Sequence, residues 1–352
     1  MALAAGSAQA GPAILVDIAT GDVLAQEDAF LPWHPASLTK LMTVYVAFRA
    51  VQAGELRLDS PVYISEDAIK EPPSKMGYPV GSVLTVDNAI KILMVKSAND
   101  VATALAESVG GSESAFVSRM NGEARRLGMT GTRFANAHGL HVGEQVTTAR
   151  DLAILATTLR KEFPEYAHYF AIEAIEAGGK VIETHNNLIM RFDGANGMKT
   201  GYTCPSGFNL VATATRGTRS LVAVVIGEPS VEARADKAAN LLAQGFSRPP
   251  GDEAPGLAEL KPTGKEPAVA ANMRPQICTE AHWKALTEKR GPGGEPAYTS
   301  PHIGEPKREP FVVAVALGGA SGPESTVPRY ADVPVPTPRP DYKPTETVAE
   351  GG

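Results

Sequence analysis

No stretch of the 352-residue chain approaches the ~20 consecutive apolar residues that cross a bilayer, so no segment reads as a transmembrane helix. Cysteine is nearly absent. Cys204 and Cys278 are too few for a disulfide-dense scaffold. One bridge would suit an oxidising compartment, but Cys278 falls in a stretch whose composition promises little order, and the sequence favours two free thiols. Basic runs are missing too, and a net charge of −6 leaves no surface for nucleic acid and no strong attraction to anionic lipid. The seven histidines contain no H-E-x-x-H pattern, and His138 and His141 read as incidental loop residues, so neither metal nor cofactor is expected. Hydrophobic content of 43% and charged content of 20% are ordinary for a globular protein.

What is present divides the chain into three. Residues 1–10 are small and apolar and end in Ala8-Gln9-Ala10, an A-x-A pattern of signal-peptidase sites without the charged leader that normally precedes it. They are read as a signal-peptide remnant. Proline marks the other end: 18 of the 28 prolines lie after Arg248. Residues 248–352 therefore read as a Pro-rich, largely disordered tail that buries too little apolar surface to offset its ordering entropy. One run, Pro310 to Leu317, has the makings of an isolated strand. The tail has no amphipathic stripe that would serve as a membrane anchor.

Between them, residues 11–247 form one α/β domain. Strands are expected at 13–17 and 22–26, joined across Ala19-Thr20-Gly21. Helices follow at about 37–52, 87–95, 99–109 and 113–127, another starts at Thr148, and a last one covers 231–245. Strands return at 170–184, 207–215 and 220–227. Two strands at the start and three near the end bracket a helical middle, which predicts one antiparallel sheet flanked by helices.

Three short motifs occur once each. In Ser37-Leu38-Thr39-Lys40 the spacing puts a serine and a lysine on one helical face. A serine hydroxyl needs a base, and lysine is one only when burial or a second cation depresses its pKa. A helix N-terminus at Ser37 also favours a developing oxyanion. Ser97-Ala98-Asn99 offers a hydroxyl to relay a proton and an amide to hold a carbonyl. Lys199-Thr200-Gly201, leading into a strand, offers a cation and a hydroxyl for a carboxylate, and a glycine where a ligand can approach the strand edge. Each triplet alone is more simply a helix cap or a turn. Their combination in this order is the motif set of penicillin-binding proteins and class A β-lactamases, with Ala98 in place of the usual Asp.

The chain resembles the D-alanyl-D-alanine carboxypeptidases, the low-molecular-mass penicillin-binding proteins, over about 11–247. Beyond the triplets, the resemblance includes Pro35-Ala36, Val95-Lys96, Phe116, Met120-Asn121, Leu127-Gly128-Met129, Thr132 to Asn136, Gly139-Leu140 and Gly194 to Thr203. It implies the β-lactamase-like transpeptidase fold and removal of the terminal D-alanine from peptidoglycan stem peptides. Ser37 would form the acyl-enzyme and Lys40 would be its base, with Ser97 and Asn99 completing the proton network. Lys199, Thr200 and Gly201 would bind the terminal carboxylate, and the N–H groups of Ser37 and Tyr202 would form the oxyanion hole. β-Lactam antibiotics would be covalent inhibitors. The enzyme would be exported and periplasmic, at most peripheral to the inner membrane.

Three alternatives share parts of this pattern. A DD-endopeptidase acting on cross-links has all three motifs, because substrate choice resides in loops. A class A-like β-lactamase needs a glutamate to activate the deacylating water, and its E-x-x-L-N signature is missing here. A catalytically silent peptidoglycan-binding module would have lost Ser37 or Lys40, and both are present.

Overall fold

The computed structural model describes residues 11–249, 254–291 and 293–326. Along the chain come β1 (Ala13–Asp17) and β2 (Val23–Glu27), a 3₁₀ turn at Ala36–Leu38, and α1 (Thr39–Gln52). Next are β3 (Pro61–Tyr63), α2 (Glu66–Lys70), β4 (Val83–Thr85), α3 (Val86–Val95), α4 (Asn99–Gly110), α5 (Glu113–Arg126) and α6 (Ala149–Glu162). Then follow β5 (Ala174–Ala177), β6 (Lys180–Glu183), β7 (Ala195–Thr203), β8 (Gly207–Arg216), β9 (Arg219–Glu228) and α7 (Val231–Ser247). The tail adds α8 (Arg274–Ile277), α9 (Glu280–Glu288) and β10 (Val312–Ala314).

The main sheet has the order β2-β1-β9-β8-β7 with every neighbour antiparallel. Both of its faces are covered, so β9 is apolar from Leu221 to Ile226 rather than alternating with polar residues. Val222, Val224 and Ile226 face the helical body that includes α1 and α6, while Leu221, Ala223 and Val225 pack against Ala235, Ala238, Ala239 and Leu242 of α7. Helix starts follow the local chemistry. Ser112, Thr148 and Ser230 each accept a hydrogen bond from the backbone N–H three residues on, and Gly111 closes α4 in the left-handed conformation.

The antiparallel sheet flanked by helices is as expected, but its fifth strand is not the one anticipated. Residues 174–183 form a separate hairpin, and the place at the sheet edge is taken by β7. Lys199-Thr200-Gly201 therefore lies inside a strand instead of leading into one. Gly197 and Gly201 hid it, because glycine weakens any strand pattern.

The described part of the tail is poor in regular structure but is laid along the domain. Val23 N–H donates to Pro255 O (2.9 Å), Thr299 and Ser300 N–H groups donate to the Asp236 carboxylate, and Thr326 N–H donates to Glu55 O. Val312–Ala314 pairs in parallel with β5, which gives the short apolar run a partner. The expectation of two free thiols is corrected: Cys204 and Cys278 form a disulfide, with Cα atoms 5.7 Å apart. The reason is positional, since Met273 N–H binds Pro205 O (3.0 Å) and holds α8 beside the end of β7. Residues 1–10, read as a leader remnant, and 327–352 lie outside the described residues. Among the described residues no helix is long and apolar enough to cross a membrane.

Candidate active site

Ser37 sits in the middle of the 3₁₀ turn that precedes α1, with no side-chain capping bond. The turn is held from both sides by glycines. A Cβ on Gly139, at φ +94°, would lie 2.0 Å from Ala36 O, and one on Gly201 would lie 3.1 Å from the N atoms of Ser37 and Leu38. Ala36 itself takes φ +47°, a costly conformation for a residue with a Cβ. From beneath, Asn209 Nδ2 donates to the carbonyls of His34 (3.1 Å) and Pro35 (3.2 Å). Ser37 is thus placed by neighbours on three sides.

Lys40 lies one helical step on and is fully buried. Its Nζ reaches Ser37 Oγ at 3.3 Å, Asn99 Oδ1 at 2.8 Å and His138 O at 2.5 Å. Asn99 is fixed in turn, because its Nδ2 donates to Pro72 O (2.9 Å) and its N–H to Ser74 O (2.7 Å). Ser97 takes φ +61°, and its buried Oγ has no hydrogen-bond partner among the described residues. The simpler reading of Ser97 as a helix cap fails, since the cap of α4 is Ala98 and makes no side-chain bond.

Electrostatics follow from this burial. Desolvation, followed by repulsion from Lys199, holds the Lys40 ammonium well below its usual pKa, against opposing pulls from Glu71 and Asp100. Lys199, almost fully buried, donates to Thr200 O (2.9 Å) and is lowered to about 7 by burial and then by Arg234. Arg234, on α7, is lowered to about 10 by its own burial, and its guanidinium donates to His185 O (3.1 Å). A buried cation pair on one side and a base-like lysine on the other suit an anionic ligand with a reactive carbonyl between them.

These groups surround a cavity of about 450 Å³ lined by Ser37, Ser97, Asn99, Thr200, Gly201, Tyr202 and Arg234, among others. Lys40 and Lys199 stand behind its walls. A larger hollow of about 740 Å³ between α7 and α9 contains none of the motif residues, so volume does not locate the chemistry. Sequence reasoning brought all the motif residues to one place but missed Arg234, the His138 carbonyl and the Asn209 support. Arg234 carried no signal, being one more cation on an amphipathic helix. Gly139 was noted as part of a similar segment, without a role.

One further cluster lies behind Lys40. His138 Nε2 approaches Glu71 (3.5 Å) and Glu113 (3.7 Å), a set that geometry alone would allow to hold a cation. The hydrogen bonds point elsewhere. Leu140 N–H donates to His138 Nδ1 (3.1 Å), which leaves the ring proton on Nε2, facing the carboxylates where a metal would have to bind. Burial and Lys40 push the imidazole down to about 3, so it is neutral. The cluster fixes the loop whose carbonyl meets Lys40.

An antiparallel sheet carrying a serine–lysine pair against its edge strand is the architecture of penicillin-binding proteins. Similar solved structures include the D-alanyl-D-alanine carboxypeptidase DacD from Francisella tularensis, with 30% identity and a TM-score of 0.67, covering 70% of this chain and 72% of that one. Penicillin-binding protein 6B from Escherichia coli is 34% identical, with a TM-score of 0.65, covering 68% and 77%. Penicillin-binding protein D2 from Listeria monocytogenes, in its cefotaxime-bound form, is 28% identical with a TM-score of 0.62, covering 68% and 97%. The D-alanyl-D-alanine carboxypeptidase family model matches residues 1–230, and the chain belongs to that family. Among curated relatives, DacC of Escherichia coli K12 is 38% identical over 242 residues, which is 66% of this chain and 60% of that protein. The chain spans about 60% of the length of the first such relatives.

Proposed function

We propose that the chain is a serine D-Ala-D-Ala carboxypeptidase that removes the terminal D-alanine from peptidoglycan stem peptides through an acyl-enzyme on Ser37. The observation that carries this reading is the Ser37 Oγ–Lys40 Nζ contact of 3.3 Å, with the lysine buried and its pKa depressed. Neutral Lys40 takes the Ser37 proton as Oγ attacks the penultimate carbonyl carbon. Negative charge on the carbonyl oxygen is received by the N–H groups of Ser37 and Tyr202. Lys199, Thr200 and Arg234 hold the terminal carboxylate, with Gly201 giving the substrate access to the strand edge. The proton returns from Lys40, by way of Ser97, to the nitrogen of the leaving D-alanine as the C–N bond breaks. Water then hydrolyses the ester, and Lys40 again takes the proton.

Penicillins imitate the acyl-D-Ala-D-Ala end, so benzylpenicillin is expected to leave its ring-opened adduct on the peptide containing Ser37, as read by mass spectrometry. An adduct elsewhere, or none on folded protein, would overturn the assignment. No carboxylate is among the described residues lining the cavity, so a β-lactamase-type base is not supported. Turnover of a cross-linked dimer in preference to a pentapeptide would instead favour the endopeptidase. The Cys204–Cys278 disulfide supports an oxidising compartment and hence an exported, periplasmic enzyme.

The two lysines must carry opposite charge states, which fixes the pH profile. Activity rises with pH as Lys40 loses its proton at its depressed pKa. It falls as Lys199 loses the charge that holds the carboxylate, near pH 7 in the free enzyme. In kcat/KM against pH, Lys199→Arg is expected to move the alkaline limb upward and leave the acid limb in place. An alkaline limb that stays put in this variant would assign it to another group.

A further inference from the structure

Lys40 Nζ contacts Ser37 Oγ, Asn99 Oδ1 and His138 O, and two of these three partners are held by one short segment. That segment runs from Glu71, at the end of α2, to Gly77. Pro72 O and Ser74 O accept the side-chain and backbone N–H groups of Asn99 (2.9 and 2.7 Å). Glu71 Oε2 lies 3.5 Å from His138 Nε2. The segment is pinned to α4 in turn, because Asp100 accepts the N–H groups of Met76 and Gly77, and Glu71 Oε1 accepts the Thr103 hydroxyl (3.2 Å). Glu71 itself is not among the residues lining the active-site cavity.

The acids near Lys40 differ in what their charge is left to do. Asp100 gives both carboxylate oxygens to backbone N–H groups, those of Met76, Gly77 and Val101. Glu113, on α5, accepts the N–H of Ala137 (3.0 Å). Among the described residues Glu71 receives a hydroxyl and faces an imidazole N–H, so less of its charge is taken up by backbone dipoles. His138 stands between this half-buried carboxylate and the buried amine, one at its ring and the other at its carbonyl. Lys40 and His138 are both buried, so the charge acts across protein and not across water.

The groups that face Lys40 are Lys199 from β7, Asp100 from α4, Glu71 from the segment after α2 and the neutral His138 from the loop after α5. Burial and Lys199 strip the proton from the amine, and Glu71 with Asp100 pulls the other way. The balance matters for chemistry. An amine that sheds its proton too easily takes one from serine poorly.

We propose that Glu71 is a positioning residue for the base: it holds His138 so that the carbonyl aims Lys40 at Ser37, and its negative charge favours the protonated amine. The proposal rests on the reading of Lys40 as the base of an acylating serine.

Second-order acylation by benzylpenicillin, followed against pH, tests it. Glu71→Gln keeps an oxygen for the Thr103 hydroxyl and the imidazole N–H but carries no charge. Its acid limb is expected at lower pH than that of the wild type, because the neutral amine is then easier to reach. Glu71→Ala also releases His138. Its plateau rate is expected to fall by about 10–100-fold, the scale of letting a catalytic group drift by about an ångström. The Gln variant should keep more of the plateau, since it keeps the hydrogen bonds. A glutamate that merely stabilised the fold would lower rates without moving the limb. An unmoved acid limb in Glu71→Gln, or a wild type without one, would overturn the proposal, as would an Ala variant that acylates at the wild-type rate. The Gln comparison decides the matter even where the Ala variant does not fold. These readouts use penicillin and no stem peptide. A shifted limb alongside no turnover of a pentapeptide ending in D-Ala-D-Ala would therefore sink the carboxypeptidase reading and leave the role of Glu71 standing.

Discussion

Lys40→Met is expected to lower the rate of Ser37 acylation by about 10²–10⁴-fold, the range for loss of a positioned general base, while the protein stays folded. The fold survives because two effects offset one another. The methionine loses the hydrogen bonds to Asn99 Oδ1 and His138 O, a cost of about 1–3 kcal/mol for each buried acceptor left unsatisfied. Against that, it removes an amine that burial and Lys199 have already made costly to charge. Melting temperature should move by only a few degrees. Lys40→Arg separates a base from a mere positive charge, since a guanidinium keeps its proton throughout the working range. Both variants should fail with a fluorescent penicillin in time-resolved labelling. Labelling by either variant within tenfold of the wild-type rate would remove Lys40 from the base role.

The second large effect concerns stability. Replacing both Cys204 and Cys278 by serine is expected to lower the melting temperature by about 10 °C. The bridge spans 74 residues, and closing a loop of that size restricts the unfolded chain enough to contribute about 2–4 kcal/mol. In a domain this large each kcal/mol is worth roughly 2–4 °C. Wild-type protein with a strong reductant should melt near the double serine variant. Benzylpenicillin acylation well below the transition should be retained, because Ser37 and Lys40 are fixed by Gly139, Asn99, Asn209 and His138 and not by the tail. An unchanged melting temperature would mean that the tail's other contacts hold it without the bridge.

How much of this was readable in the residues depends on the range over which each feature is determined. Helices α3 to α7 lie within a residue or two of their expected positions because local signals, such as Ser112 and Thr148 as caps, set their starts. The three motifs converge on one cavity because each needs only its own local turn to present its side chain. Strand β7 was not readable: its glycines break the pattern, and the reason for Gly201 lies 164 residues earlier in the chain, at the Ser37 backbone that it must let pass. Arg234 and the His138 carbonyl were hidden for the same reason. Their roles come from packing against distant segments, and neither an arginine on a helix nor a backbone oxygen announces its neighbours. The disulfide was misjudged because proline content says how little regular structure a segment forms. It does not say whether single residues such as Met273, Ile277 and Val315 find places on an existing surface.

The pairing of β1 with β9 has a consequence for the order in which the enzyme comes into being. Ala13 lies opposite Val225, so a strand made at the start of synthesis waits for more than two hundred residues before its partner exists. At roughly 5–20 residues per second, that interval is of the order of ten seconds or more during synthesis. For most of it Ser37 and Lys40 are already made, while Gly201 and Asn209 appear only near its end and Arg234 after it. An unfinished chain therefore carries Ser37 without the strand that positions it or the cations proposed to hold a carboxylate. The activity proposed for this site would therefore arrive only when the sheet closes.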